Sequence, residues 1–109
     1  MKLKEICENY FRNFSEKNLN TLADLFSENV KLRDWELSAS GKASVIDANR
    51  RIFSSVSSIQ VTPLSMYKEG NTVVAELDIC LNNAETLKVV DIIEFDENGK
   101  ILSIRAYKG

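Results

Sequence analysis

Apolar residues near the start of the chain recur at three- and four-residue spacing: Leu3, Ile6, Cys7, Tyr10, Phe11 and Phe14, with Lys4, Glu5, Glu8 and Arg12 elsewhere. That spacing places them on one face of a helix. Asn18 is suited to cap a second, short helix carrying Leu19, Leu22, Leu25 and Phe26, with Ser27-Glu28-Asn29 as its end. From Val30 to Glu36 the period falls to two. Val30, Leu32 and Asp34 then face one way and Lys31, Arg33 and Trp35 the other. Leu37 to Gly41 reads as a loop, and Ser40 as the cap of a third helix over about 41–55. That helix has an apolar stripe of Val45, Ile46, Ile52, Phe53 and Val56, and Asn49 falls inside it. Asp47 and Arg51 are four apart on its outer side, which suits an exposed ion pair.

The rest of the chain reads as strands over roughly 58–68, 72–82, 86–95 and 100–108. The joints are Glu69-Gly70-Asn71, Asn82-Asn83-Ala84-Glu85 and Asp96-Glu97-Asn98-Gly99. Short connections rich in Gly and Asn favour antiparallel hairpins. Pro63 cannot donate to a ladder, so its strand is expected to be interrupted, bulged or at an edge. The order helix, helix, strand, helix, four-strand meander implies an α+β fold. Three N-terminal helices pack on a curved antiparallel or mixed sheet, with room for a pocket where the layers diverge. A length of 109 residues suits one domain spanning 1–109.

One position breaks the strand pattern. Leu87, Val89, Asp91, Ile93 and Phe95 share a face that is apolar except for Asp91. An ionised carboxylate there is costly unless it is paired, so the acid can stay protonated and serve as a hydrogen-bond donor. The alternative is an edge strand whose carboxylate reaches water or an arginine. Asp34 likewise continues an apolar face.

Composition narrows the chemistry. The net charge of −2 provides no basic field for nucleic acid, and no apolar stretch approaches a membrane helix. The start of the chain does not lead into a signal peptide, so the cytosol is expected. Histidine is absent, which leaves proton transfer to Asp, Glu, Tyr, Lys or Cys. Cys7 and Cys80 are far apart and lack a metal-ligand spacing; buried free thiols are the simplest reading. No phosphate-binding glycine loop, dinucleotide fingerprint or nucleophile elbow is present. Neither a cofactor nor a metal is expected.

The chain resembles the nuclear transport factor 2-like superfamily, and within it the ketosteroid isomerase and SnoaL-like polyketide cyclase branch. The resemblance is carried by Leu25-Phe26-Ser27-Glu28-Asn29-Val30, the Asp34 that follows, Gly41-Lys42-Ala43, and Val90-Asp91 through Phe95-Asp96-Glu97-Asn98-Gly99-Lys100-Ile101 to Arg105-Ala106-Tyr107. It implies a cone-shaped, cystatin-like roll. Ketosteroid isomerases use an aspartate base at the end of the first strand, with a tyrosine on the first helix and a protonated aspartate on a later strand holding the enolate oxygen. Carried over, these roles fall on Asp34, Tyr10 and Asp91. The sequence departs from the isomerases at Trp35, where they commonly place proline, and in the short loop from Asp34 to Gly41.

Phe14, Val30, Leu32, Asn49, Phe53, Val89 and Ile104 are the expected pocket residues. The resemblance implies cofactor-free proton transfer on an apolar cyclic ketone. Two alternatives stand beside it: a non-catalytic module that binds an apolar ligand or dimerises, and a hydrolase or dehydratase using a water activated by Asp34. Partners are expected to be an apolar small molecule and a second copy joined through the sheet, where Val74, Val90 and Ile92 face outward. Trp35 is open between dimer contact, loop cover and pocket lid. Arg105 reads as a solvated or interface group, and the Arg50-Arg51 pair as a solvated helix face rather than a nucleic-acid site.

Overall fold

The structure, a computed structural model, describes residues 2–109. The amphipathic start of the chain forms α1 (Leu3–Ser15), which buries Leu3, Cys7, Tyr10 and Phe11. Asn18 caps α2 (Leu19–Leu25), its side chain accepting from Thr21 N at 3.3 Å. The first strand, β1 (Phe26–Arg33), begins earlier than periodicity implies. Phe26 belongs to it rather than to the helix, and Ser27-Glu28-Asn29 extend it rather than ending α2. The strand also stops at Arg33, because Asp34 opens a tight turn. The expected loop contains a short strand, β2 (Ser38–Ser40), paired back on β1. Gly41 takes the N-cap position of α3 (Lys42–Ser55) in place of Ser40, and no side chain caps that helix start. Its φ of 90° is a conformation that glycine reaches without a Cβ penalty.

Four longer strands complete the chain: β3 (Ile59–Glu69), β4 (Thr72–Leu81), β5 (Glu85–Phe95) and β6 (Ile101–Lys108). They lie in one sheet ordered β2-β1-β6-β5-β4-β3. Every neighbouring pair is antiparallel except β1 and β6, which run parallel, so the sheet is mixed. Pro63 lies in the edge strand β3, and the register with β4 shifts between Pro63 and Ser65. Edge and bulge together tolerate the missing donor. Asn82 and Asn83 both adopt positive φ, 56° and 55°, and Ala84 N returns to Leu81 O at 3.0 Å. This is a turn whose twist matches that of a hairpin.

The helices cover the concave side of the sheet. The core between the layers includes Phe11, Leu22, Phe26, Val45, Leu77, Ile93, Phe95 and Ile101. Two side chains brace the helical layer, one within it and one to the sheet. Lys17 donates from Nζ to the carbonyls of Phe53 at 3.0 Å and Val56 at 2.7 Å, holding the end of α3 against the α1–α2 turn. Ser15 Oγ accepts from Val61 N at 2.8 Å and fastens α1 to β3. Among the described residues no helix is long and apolar enough to cross a membrane.

Candidate functional site

Period-two alternation on β5 determines where Asp91 points. Val89, Asp91, Ile93 and Phe95 are all buried, while the residues between them are half-buried. Asp91 is 7% exposed, so the edge-strand alternative does not apply: β5 is interior to the sheet, between β6 and β4. Its partners across the ladders are Ala75 on β4 and Ala106 on β6. Two methyl side chains beside a carboxyl leave space in front of it that larger neighbours would fill.

That space is part of a cavity of about 320 Å³ between helices and sheet. Tyr10 and Phe14 line it from α1, Asn49 and Ile52 from α3, and Leu32, Val89, Asp91 and Ile104 from the sheet. Asp34 lines it at the end of β1. The structure thus gathers eight of the sequence-derived residues around one void. Val30 and Phe53 are buried but do not line it. Val30 belongs to the core, and Phe53 stands behind the wall, its ring edge-on to Phe14 at 4.8 Å.

The three acid groups differ in what surrounds them. Tyr10 is buried in an aromatic cluster with Phe14 and Phe26, at centroid distances of 5.8 and 6.1 Å. Burial raises its hydroxyl well above the ordinary phenol range, and the neighbouring Asp91 adds to the shift. Asp91 is pushed up from 3.8 to about 7, first by burial and then by the charge of Asp34. No hydrogen bond within the described residues offsets that burial. The proton is therefore held on Asp91 through most of the acidic range and shared with the ionised form near neutrality. Burial likewise pushes the Cys7 thiol up to about 12, with the Asp91 charge adding to the shift, so Cys7 acts as a small apolar residue of the core.

Asp34 is half-buried and built into the turn. Its Oδ1 accepts from the backbone N–H groups of Glu36 at 2.7 Å and Leu37 at 2.8 Å, and its own N–H donates to Leu37 O at 2.9 Å. These bonds orient the carboxylate and leave Oδ2 outside the turn's hydrogen bonding. The arrangement departs from a simple continuation of the strand face: the turn, not the pleat, aims Asp34.

Several lining residues were missed by periodicity alone. Ile59, Val61, Leu77 and Ile79 contribute from β3 and β4. Their alternation was visible, but which inward residues meet the void depends on sheet curvature. At the mouth, Trp35 resolves as a rim residue, 40% exposed, with Lys108 Nζ 5.6 Å from its ring centroid. Glu36 and Glu85 share that rim. Among the described residues no group of three or more Cys, Asp or Glu side chains is placed to hold a metal ion.

Comparison with known proteins agrees with this architecture. Among curated proteins nothing matches the chain. An epoxide hydrolase/cyclase-like enzyme, SalBIII, of pyran ring formation in the polyether salinomycin superposes with a TM-score of 0.86 at 22% identity, covering 99% of this chain and 91% of that one. A candidate SnoaL-like polyketide cyclase from Shewanella denitrificans gives 0.87 at 16%, covering 98% and 90%. A candidate ketosteroid isomerase from Kribbella flavida gives 0.86 at 16%, covering 98% and 77%. Identities this low speak for the shared cone fold alone. The sequence model of the SnoaL-like domain matches residues 7–104, nearly the whole chain, and the protein therefore belongs to the SnoaL-like domain family.

Proposed function

We propose that the protein is a cytosolic, cofactor-independent enzyme that moves a proton alpha to the carbonyl of an apolar cyclic ketone. The observation that supports this most is the convergence of Asp34, Tyr10 and Asp91 on one largely apolar cavity, with Asp91 holding its proton. Asp34 removes the proton from carbon. The developing enolate oxygen accepts hydrogen bonds from the Tyr10 hydroxyl and the Asp91 carboxylic acid, and Asp34 returns the proton to a different carbon. Donors fixed in a water-poor site stabilise an oxyanion without reorganising, and a positioned base contributes roughly 10²–10⁴-fold.

The test is deuterium uptake alpha to carbonyls across a panel of cyclic enones and ketosteroids, followed by proton NMR. Uptake that vanishes in Asp34→Asn supports the assignment. Uptake equal in parent and mutant removes Asp34 as the base.

A second reading rests on the coupling between two carboxyl groups. Asp91, holding its proton, and the Asp34 carboxyl line the same cavity as an acid–base pair, which also suits opening or closing an oxygen ring with Asp34 activating a water or hydroxyl. The similarity to the salinomycin enzyme belongs with that reading. For the assembled state we propose a homodimer through the convex sheet face. There Tyr67 and Tyr107 are 66% and 53% exposed, near the outward Val74, Val90 and Ile92. Size-exclusion chromatography with light scattering at micromolar concentration decides between monomer and dimer.

A further inference from the structure

Asn49 is 1% exposed, and its Nδ2 has no hydrogen-bond partner. Among the described residues it is the one fully enclosed side-chain nitrogen or oxygen left in that condition; the Asp91 carboxyl, also without a hydrogen bond, borders the cavity. The contrast with Asn13, also buried, is direct. Asn13 Nδ2 donates to Asn9 O and Oδ1, both at 2.8 Å, and its Oδ1 accepts from Asn18 Nδ2 at 3.3 Å. Asn13 is explained by the fold. Asn49 is not, since an unmade buried hydrogen bond is destabilising and a leucine of the same branched shape would occupy the site without that cost.

The position of Asn49 supplies the missing explanation. On α3 the spacing of Asn49, Ile52 and Val56 places all three on the face that lines the cavity. Asn49 lies at the N-terminal end of that face, beside the fully buried Val45 and Ala48, which do not line the void. It therefore approaches the cavity from the helix layer, whereas Asp91 approaches from the sheet and Tyr10 from α1. A polar group on a separate wall is placed to meet a different part of a ligand from the one that faces Tyr10 and Asp91.

We infer that Asn49 is a specificity-determining residue whose amide holds a second oxygen of the ligand, a hydroxyl or an ether remote from the reacting ketone. This deepens the ketone reading of the cavity and rests on it. Nδ2 requires an acceptor, which both groups provide. Rotation of the amide exchanges its donor and acceptor ends, so a hydroxyl fits either orientation and an ether only one. The ligand class narrows from apolar cyclic ketones to hydroxy- or alkoxy-substituted ones.

The experiment uses alpha-tetralone, its ring-hydroxylated positional isomers and their methoxy counterparts as probes. Binding is measured by calorimetric or NMR titration of the parent protein and of Asn49→Leu. The expected result is that at least one hydroxylated isomer binds the parent about tenfold more tightly than alpha-tetralone. Asn49→Leu is expected to abolish that advantage. A matching gain for the methoxy compound identifies Nδ2 as the donor in use; a gain for the hydroxyl alone identifies the rotated amide, and either supports the inference. If no isomer outbinds alpha-tetralone, or the advantage survives in Asn49→Leu, the inference is overturned and the amide is satisfied by solvent.

A ligand-free readout accompanies it. Without an internal partner for Asn49, Asn49→Leu should raise the thermal midpoint by about 4 °C. A fall in the midpoint gives Asn49 a structural role and overturns the inference. Deuterium uptake on unsubstituted alpha-tetralone by the parent tests the ketone reading alone, so the two ideas fail separately.

Discussion

The two faces of the sheet treat polar side chains in opposite ways. On the convex face they satisfy one another across the strands. Lys88 meets Asp78 at 2.7 Å from directly opposed positions, Ser65 meets Glu76 at 3.3 Å, and Glu94 bonds to both Arg105 and Ser103. On the concave face Asp91 is buried without a hydrogen bond, and across the cavity from it, on α3, Asn49 Nδ2 has no partner. The outer pairs are accounted for by the folded chain itself. The inner groups find no partner in the folded chain, and polar groups left in that condition are expected where a site binds or reacts.

The comparison can be broken first at Tyr10. Loss of the hydroxyl in Tyr10→Phe removes one of the two proposed oxyanion donors and should lower the exchange rate roughly 10²–10³-fold. The fold should survive, because the aromatic cluster with Phe14 and Phe26 keeps its ring. A rate within about twofold of the parent would show that the hydroxyl does not face the reacting oxygen.

Asp91 sharpens the contrast through pH. Its folded pKa lies above its ordinary value, so the folded state holds the proton more tightly than the unfolded chain does. Stability from this group is fully present below about pH 4 and is lost as pH rises towards 7. The loss is on the order of 4 kcal/mol across that window. Asp91→Asn should flatten this dependence in urea unfolding curves and leave the mutant the more stable form at pH 8. In the parent protein the proposed exchange should also slow above about pH 7, as Asp91 ionises. A stability profile identical in parent and mutant would place the Asp91 charge in water.

The smallest effect is expected outside. Arg105→Ala separates a partly exposed ion pair with Glu94, in which the guanidinium holds the Glu94 carboxyl below its usual range. Solvent screening limits the contribution to at most about 1 kcal/mol, measured by denaturant unfolding in low and high salt. A loss several times larger would mean that the outer face is as finely balanced as the inner one.

Much of this architecture was legible in the chain. Helix and strand periods located α1, α2, α3 and the meander, and alternation alone put Asp91 on the inward face. Pro63 announced an edge or a bulge, and the structure has both. Helix propensity near Phe26 misled, because β1 pairs with β6, from Phe26 opposite Ile101, some 75 residues away in sequence. Local pattern carries no information about a partner so distant. The same limit hid β2, three residues long and defined only by pairing with β1.

The sequence by itself determined the element order, the layered α+β class, the absence of imidazole chemistry and the unusual placement of acids on apolar faces. These follow from local periodicity and residue type, which act over a few residues. Only the tertiary structure decided that Ala75 and Ala106 flank Asp91, that a backbone turn rather than the strand pleat aims Asp34, and that Asn49 ends unpartnered at a cavity wall. Each depends on register, curvature and packing between segments far apart in the chain, and a void is a property of what those segments fail to fill.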